Sequence, residues 1–198
     1  MHADPEWVET AARLFCEEQM TDYRLARQRA GVLLGHPAHA QGPEAVLIEA
    51  AVIRYQALFG GAAYQARLRA LREAALQALR WLQPFEPCLA GAAITGAISL
   101  AHRVQIHCFA DSAETVDRHF HDHGIPFSEG ERRYRDAQHR PWDVPLLQFE
   151  TPQVGIDLAV FDWERPRRAP LSPVTGRPCR RLSADAVAAL LATSAFGG

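Results

Sequence analysis

Residues 89–109, LAGAAITGAISLAHRVQIHCF, set a glycine turn ahead of an alternating, strand-like run. Alternation puts Arg103, Gln105 and His107 on one face and Val104, Ile106 and Cys108 on the other. Arg103 is permanently charged and can serve a wholly structural ion pair if buried, or receive a phosphate if open. His107 offers a general base or a stacking surface, weighed against an ordinary polar surface role, and His102 lies beside it. In the later run VGIDLAVF, Asp157 falls with Gly155 and Ala159 opposite Ile156, Leu158 and Val160. An acid among small residues fits a cleft, and it fits equally an edge-strand aspartate facing water.

Two other clusters invite chemistry. In HFHDH, His119 and His123 share a helix face at i and i+4 while His121 points away, so a metal site there lacks its third ligand. ERRYR (131–135), with Arg140, Arg165, Arg167 and Arg168, gives the C-terminal half a basic surplus that suits an anionic ligand if it converges near Gly91, and solubility if it does not. No G-x-S-x-G elbow, Rossmann glycine motif or H-E-x-x-H is present. Cys108 sits on the apolar face, which makes a poor nucleophile. All 21 basic residues are Arg, a pattern that codon usage explains; it also removes Schiff-base and P-loop lysine chemistry.

The elements that must position these residues are helical at the front. PEWVETAARLFCEEQ follows an Asp4-Pro5 start, DYRLARQRAGVLLG runs to Gly35, EAVLIEAAVIRYQALFGG is strongly apolar and closed by a glycine pair, and 62–85 forms a long amphipathic helix. Leu68, Leu71, Ala75, Leu79 and Leu82 make the stripe of that last helix. Its Arg67, Arg69, Arg72 and Arg80 read as a solvated surface. Beyond Pro84 come a short strand (PCLAGA), a short helix or turn, the strand RVQIHCFA, a helix from Asp111 or Ser112 to Gly124, and about three further strands. A Pro/Arg-rich wrapping segment and a short helix capped by Ser183 close the chain. The expected class is α+β: a helical region (1–83), a small mixed β-sheet core with flanking helices (84–165), and a C-terminal wrapping segment (166–198).

With 198 residues, 48% hydrophobic content and a net charge of -2, the chain has material for a real core and no global basic excess of the kind that binds nucleic acid. Four scattered cysteines without a CxxC, no signal pattern and no long apolar run point to a cytoplasmic protein without a membrane partner.

Residues 79–163 resemble the nucleotidyltransferase superfold, shared by polymerase-beta-like and minimal nucleotidyltransferases. Its pattern is helix, strand, a Gly-Ser or Gly-Gly turn, then a strand bearing Asp-x-Asp or Asp-x-Glu, with a third carboxylate on a later strand. LRALREAALQALRWLQPFEPCLAG, HGIPF, ERRYR and APLSPVTGRPCRR extend the resemblance to a group of bacterial proteins with such a domain behind a helical N-terminus. The resemblance implies that the turn holds a triphosphate by its backbone N–H groups and that the carboxylates hold two Mg²⁺ ions. Gly91 matches the turn glycine, Ala92 replaces the usual Ser, and Gly96 matches a second glycine. Arg103 and Gln105 stand at the first two carboxylate positions, and Asp157 at the third.

A guanidinium about 4 Å from a divalent cation, at an effective dielectric near 20, is repelled by roughly 8 kcal/mol before screening. Arg103 is therefore expected to take the cation's place and to pair with Asp157. The function expected is a nucleotidyltransferase-like protein with a degenerate metal site and no resident cofactor, binding a nucleotide-type anion or a protein partner. Two alternatives accompany it. In one, an active Mg²⁺-dependent nucleotidyltransferase recruits Asp111, Asp143, Asp157 or Asp162. In the other, a structural module forms a homo-oligomer through the apolar helix 44–59.

Overall fold

The computed structural model describes residues 4–163 and 169–194. Its class is α+β, with four helices ahead of a five-stranded mixed sheet. The chain divides into two compact units, Met1–Leu68 with Thr95–His102 and Pro173–Gly176, and Arg69–Ile94 with Arg103–Ser172 and Arg177–Gly198. The division falls inside one long helix rather than near residue 83, because the second half of that helix carries side chains that pack on the sheet.

In the first unit, α1 (Pro5–Glu17) starts where Asp4 accepts a hydrogen bond from the Glu6 amide, and α2 (Tyr23–Leu33) where Asp22 accepts from Arg24. With α3 (Ala45–Phe59) they bury Phe15, Ala26, Ala30, Ile48, Ala51 and Val52 around one core. The glycine pair after α3 is a joint, not a break: Gly60 ends α3, and α4 (Gly61–Trp81) begins at Gly61, whose φ of +55° permits the change of direction.

In the second unit the rest of α4 precedes β1 (Cys88–Ala90), the one-turn α5 (Ala92–Thr95, shared between the units), β2 (Val104–Ala110), α6 (Ala113–Asp122), β3 (Ser128–Arg135), β4 (Pro141–Glu150), β5 (Gly155–Asp162) and α7 (Ala184–Ser194). The strand order is β1-β2-β5-β4-β3, with β2 and β5 parallel and the other pairs antiparallel. One face carries Val104, Ile106, Cys108, Ile156, Leu158, Leu147 and Phe149, all buried. Trp81 of α4 and Phe120 of α6 meet Phe149 there, with Phe120 and Phe149 centroids 5.0 Å apart.

The opposite face is half polar and half apolar. Its apolar half gathers Phe109, Val144, Leu146, Ala159 and Phe161 with Tyr134 and Trp142. A strap reaches this half from both edges: Leu171 donates its amide to Arg135 of β3, and Leu182 exchanges backbone hydrogen bonds with Leu89 of β1. Arg181 lies over the rings of Phe109 and Phe161, 5.1 and 5.2 Å from their centroids.

The arginines of α4 are not all solvated, as their spread around the helix suggested. Arg72 is buried and donates to the carbonyls of Ala93 (3.0 Å) and Ile94 (3.4 Å), and Arg67 donates to His102 O at 2.7 Å. Irregular carbonyls around α5 need donors, and a long guanidinium reaches them from the helix. No helix among the described residues is long and apolar enough to cross a membrane.

Candidate functional site

The polar half of the sheet face is built on strand register. Gln105 on β2, Asp157 on β5 and Gln148 on β4 are direct partners, so their side chains stand side by side. β5 lies in the middle of the sheet, so Asp157 is not an edge-strand aspartate facing water. It is buried and bonded at both oxygens. Oδ1 accepts from Arg103 Nε at 2.7 Å and Gln148 Nε2 at 3.0 Å, and Oδ2 from Arg132 at 2.5 Å.

The pairing expected between Arg103 and Asp157 is thus present, with a second guanidinium added from β3. Burial pushes the Asp157 carboxyl up, but the hydrogen bonds from Gln148 and Arg103 and the charge of Arg132 outweigh it. The carboxyl is held below its usual range and stays ionised.

Arg103 spends its donors inside the chain. Besides Asp157 it reaches Glu150 Oε1 (2.5 Å) and the carbonyls of Phe149 and Ile156 (3.2 Å each). The guanidinium lies against Gly155, where any Cβ would overlap it. Four of its five N–H groups have acceptors, which leaves little for an incoming anion. Two positive and two negative side chains balance here: Arg103 and Arg132 against Asp157 and Glu150.

The glycine turn is equally occupied. Gly91 has a φ of +75°, and a Cβ on it would meet Gln105 Oε1 at 2.6 Å, so the Gln105 amide rests on the turn. Ala92, half-buried, opens α5 beside it. Gly96 falls in the other unit, with a φ of +85° and its carbonyl accepting from Tyr64 at 3.0 Å.

His107 does not sit on a polar surface and is not open for proton transfer. It is buried beneath the strap, with its ring 4.8 Å from that of Phe161. Arg181 Nε donates to Nδ1 at 3.1 Å, which leaves the proton on Nε2, 3.2 Å from the Tyr134 hydroxyl. Burial first, then the charges of Arg181 and Arg132, lower its pKa to about 3. His102 is buried as well, with Nδ1 accepting from the Ser99 amide at 2.9 Å; burial lowers it to about 4. Sequence parity located His107 but not its partners, since Tyr134 and Arg181 come from an edge strand and the C-terminal strap.

The acids considered for a working metal site do not join Asp157. Asp143 and Asp162 occupy the opposite parity on β4 and β5, and Asp143 is held by Arg133 at 2.7 and 2.9 Å. Asp111 follows the far end of β2, six residues or roughly 20 Å along the strand from Gln105. Among the described residues no three His, Cys, Asp or Glu side chains are grouped to hold a metal ion.

His119 and His123 share a face as expected, with ring centroids 4.3 Å apart beside Trp81. Of the basic surplus, Arg132 joins Asp157, Arg133 and Arg140 pair with Asp143 and Asp136, and Arg135 bonds His139 O. Arg165, Arg167 and Arg168 lie outside the described residues. The signal the sequence did offer for Arg132 is its parity with Tyr134 in ERRYR, on the face that β3 turns toward Asp157.

Compared with known proteins, the chain matches no family model, no curated sequence and no solved structure.

Proposed function

We propose that this chain is a nucleotidyltransferase-like protein that does not transfer nucleotides and works by binding. The observation that carries the reading is the state of Asp157: two guanidiniums and an amide satisfy its carboxylate. A carboxylate that binds Mg²⁺ needs free lone pairs and no adjacent fixed cation; Asp157 has three of its about four acceptor positions taken and two guanidiniums beside it. The Gln105 amide over Gly91 supports the absence of transfer, since it rests on the turn where the resemblance would put a triphosphate. Arg103 and Arg132 remain the groups that a nucleotide-type anion would engage, in exchange for their bonds to Asp157 and Glu150.

The test is a thermal-shift series with ATP, GTP, CTP and UTP, with and without Mg²⁺, beside an assay for transfer of α-labelled nucleotide. The expected result is no Mg²⁺-dependent stabilisation and no transfer. Stabilisation by nucleotide without metal would assign the bound partner as an anion, and none would favour the structural module over a nucleotide binder. Label transfer that Asp157→Asn abolishes would falsify the reading.

A further inference from the structure

Helix α3 is apolar on both sides. Ile48, Ala51 and Val52 face the core of the first unit, while Val46, Leu47, Ile53 and Leu58 are 39%, 40%, 37% and 76% exposed, with Ala50 and Ala57 exposed among them. A helix on the surface of a monomer ordinarily turns a polar face to water.

The outward residues have order. Val46, Ala50, Ile53 and Ala57 are spaced 4-3-4, the seam of a two-helix coiled coil, and large and small side chains alternate along it. We propose that α3 packs antiparallel against α3 of a second copy of this chain, about a two-fold axis passing between positions 51 and 52.

That register is self-complementary, as a two-fold interface must be. Val46 meets the partner's Ala57, and Ala50 meets the partner's Ile53, so every contact sets a branched side chain against a methyl. Leu47 and the partner's Leu58 face each other along one flank. The single charge on that flank, Arg54, is already paired with Glu9 at 2.6 Å, so the seam closes without stranding it.

The exposed apolar side chains of α3 amount to roughly 500 Å² per copy, so pairing buries at most about 1,000 Å² in total, the lower bound for a specific interface. The dimer is therefore expected to be reversible, as interfaces at the small end of the size range are. This inference concerns a different unit from the Asp157 cluster and stands whether or not nucleotides bind.

Sedimentation equilibrium of the full chain, from about 1 to about 200 µM, tests it. The wild type is expected to pass from monomer to dimer across that range. Ile53→Glu and Ala57→Glu each weaken association at least tenfold, with circular dichroism confirming unchanged helix. Val32→Glu, at an exposed apolar position on α2, leaves association unchanged. A wild type that stays monomeric throughout overturns the proposal. So does a dimer that is insensitive to both α3 variants, or one weakened as much by Val32→Glu.

Discussion

The guanidinium of Arg103 rests on Gly155, and the missing side chain of that glycine is what lets it reach Asp157 and Glu150 together. Arg103 immediately precedes β2 and Gly155 opens the neighbouring β5, and each makes sense only with the other. Gly155→Ala is expected to cost about 2–3 kcal/mol in urea unfolding, because the new methyl meets a charged group held by four hydrogen bonds rather than a flexible end. Arg103→Ala should cost less in that variant than in the wild type, since the clash has already loosened the guanidinium. Equal instability of the double variant and the sum of the singles would show that the contact is not the cause.

Removing Arg103 alone unbalances the cluster. Arg103→Met leaves Asp157 ionised and buried with Arg132 and Gln148, at an expected cost of about 2–4 kcal/mol. Asp157→Asn leaves two guanidiniums facing an amide and should cost a similar amount. A double-mutant cycle over the pair is expected to give a coupling of about 1–3 kcal/mol. A coupling near zero would mean that the ion pair is incidental.

Acid should destabilise the protein through its buried imidazoles. His102 and His107 are lowered to about 4 and about 3, so between the ordinary imidazole value of 6.5 and those values the unfolded chain binds protons that the folded chain refuses. Their stabilising contribution is present above pH 6.5 and is lost as pH falls, by about 1.4 kcal/mol per pH unit for each group. The depressed Asp157 carboxyl adds a further loss only below its unfolded value near 4. Urea midpoints between pH 7 and pH 4.5 should fall steadily, and His107→Phe should halve the slope. A flat profile would mean that neither imidazole is held neutral.

Arg72 is expected to behave as a core residue despite its charge. Arg72→Met keeps the length of the stem but strands the carbonyls of Ala93 and Ile94. Hydrogen exchange in the segment from Gly91 to Thr95 should accelerate, and the protein should lose about 2 kcal/mol. Arg69→Met, on the exposed side of the same helix, should change neither.

The sequence made the elements legible because their signals are local. The cap at Asp4, the glycine at Gly124 and the alternation through Val104, Ile106 and Cys108 all act within a few residues. The Arg103–Asp157 pair was reachable too, because the nucleotidyltransferase resemblance sets both residues at one site and parity puts each on the polar face. What stayed hidden depends on pairing between distant segments. Gln148 and Arg132 join Asp157 only through the β5-β4-β3 meander. His107 reads as a polar strand residue until a strap some seventy residues later brings Arg181 over it. Arg72 looks solvated on a helical wheel because the wheel does not show the carbonyls of α5.

The parallel pairing of β2 with β5 also has a kinetic side. β1 with β2, and β3 with β4 and β5, are each contiguous enough to assemble early, but their union closes a loop of about fifty residues. Arg103 and Asp157 straddle that seam, so their bond can form only after the two halves have met. Weakening it should hasten unfolding far more than it slows refolding, leaving the refolding limb of the chevron nearly in place while the unfolding limb rises.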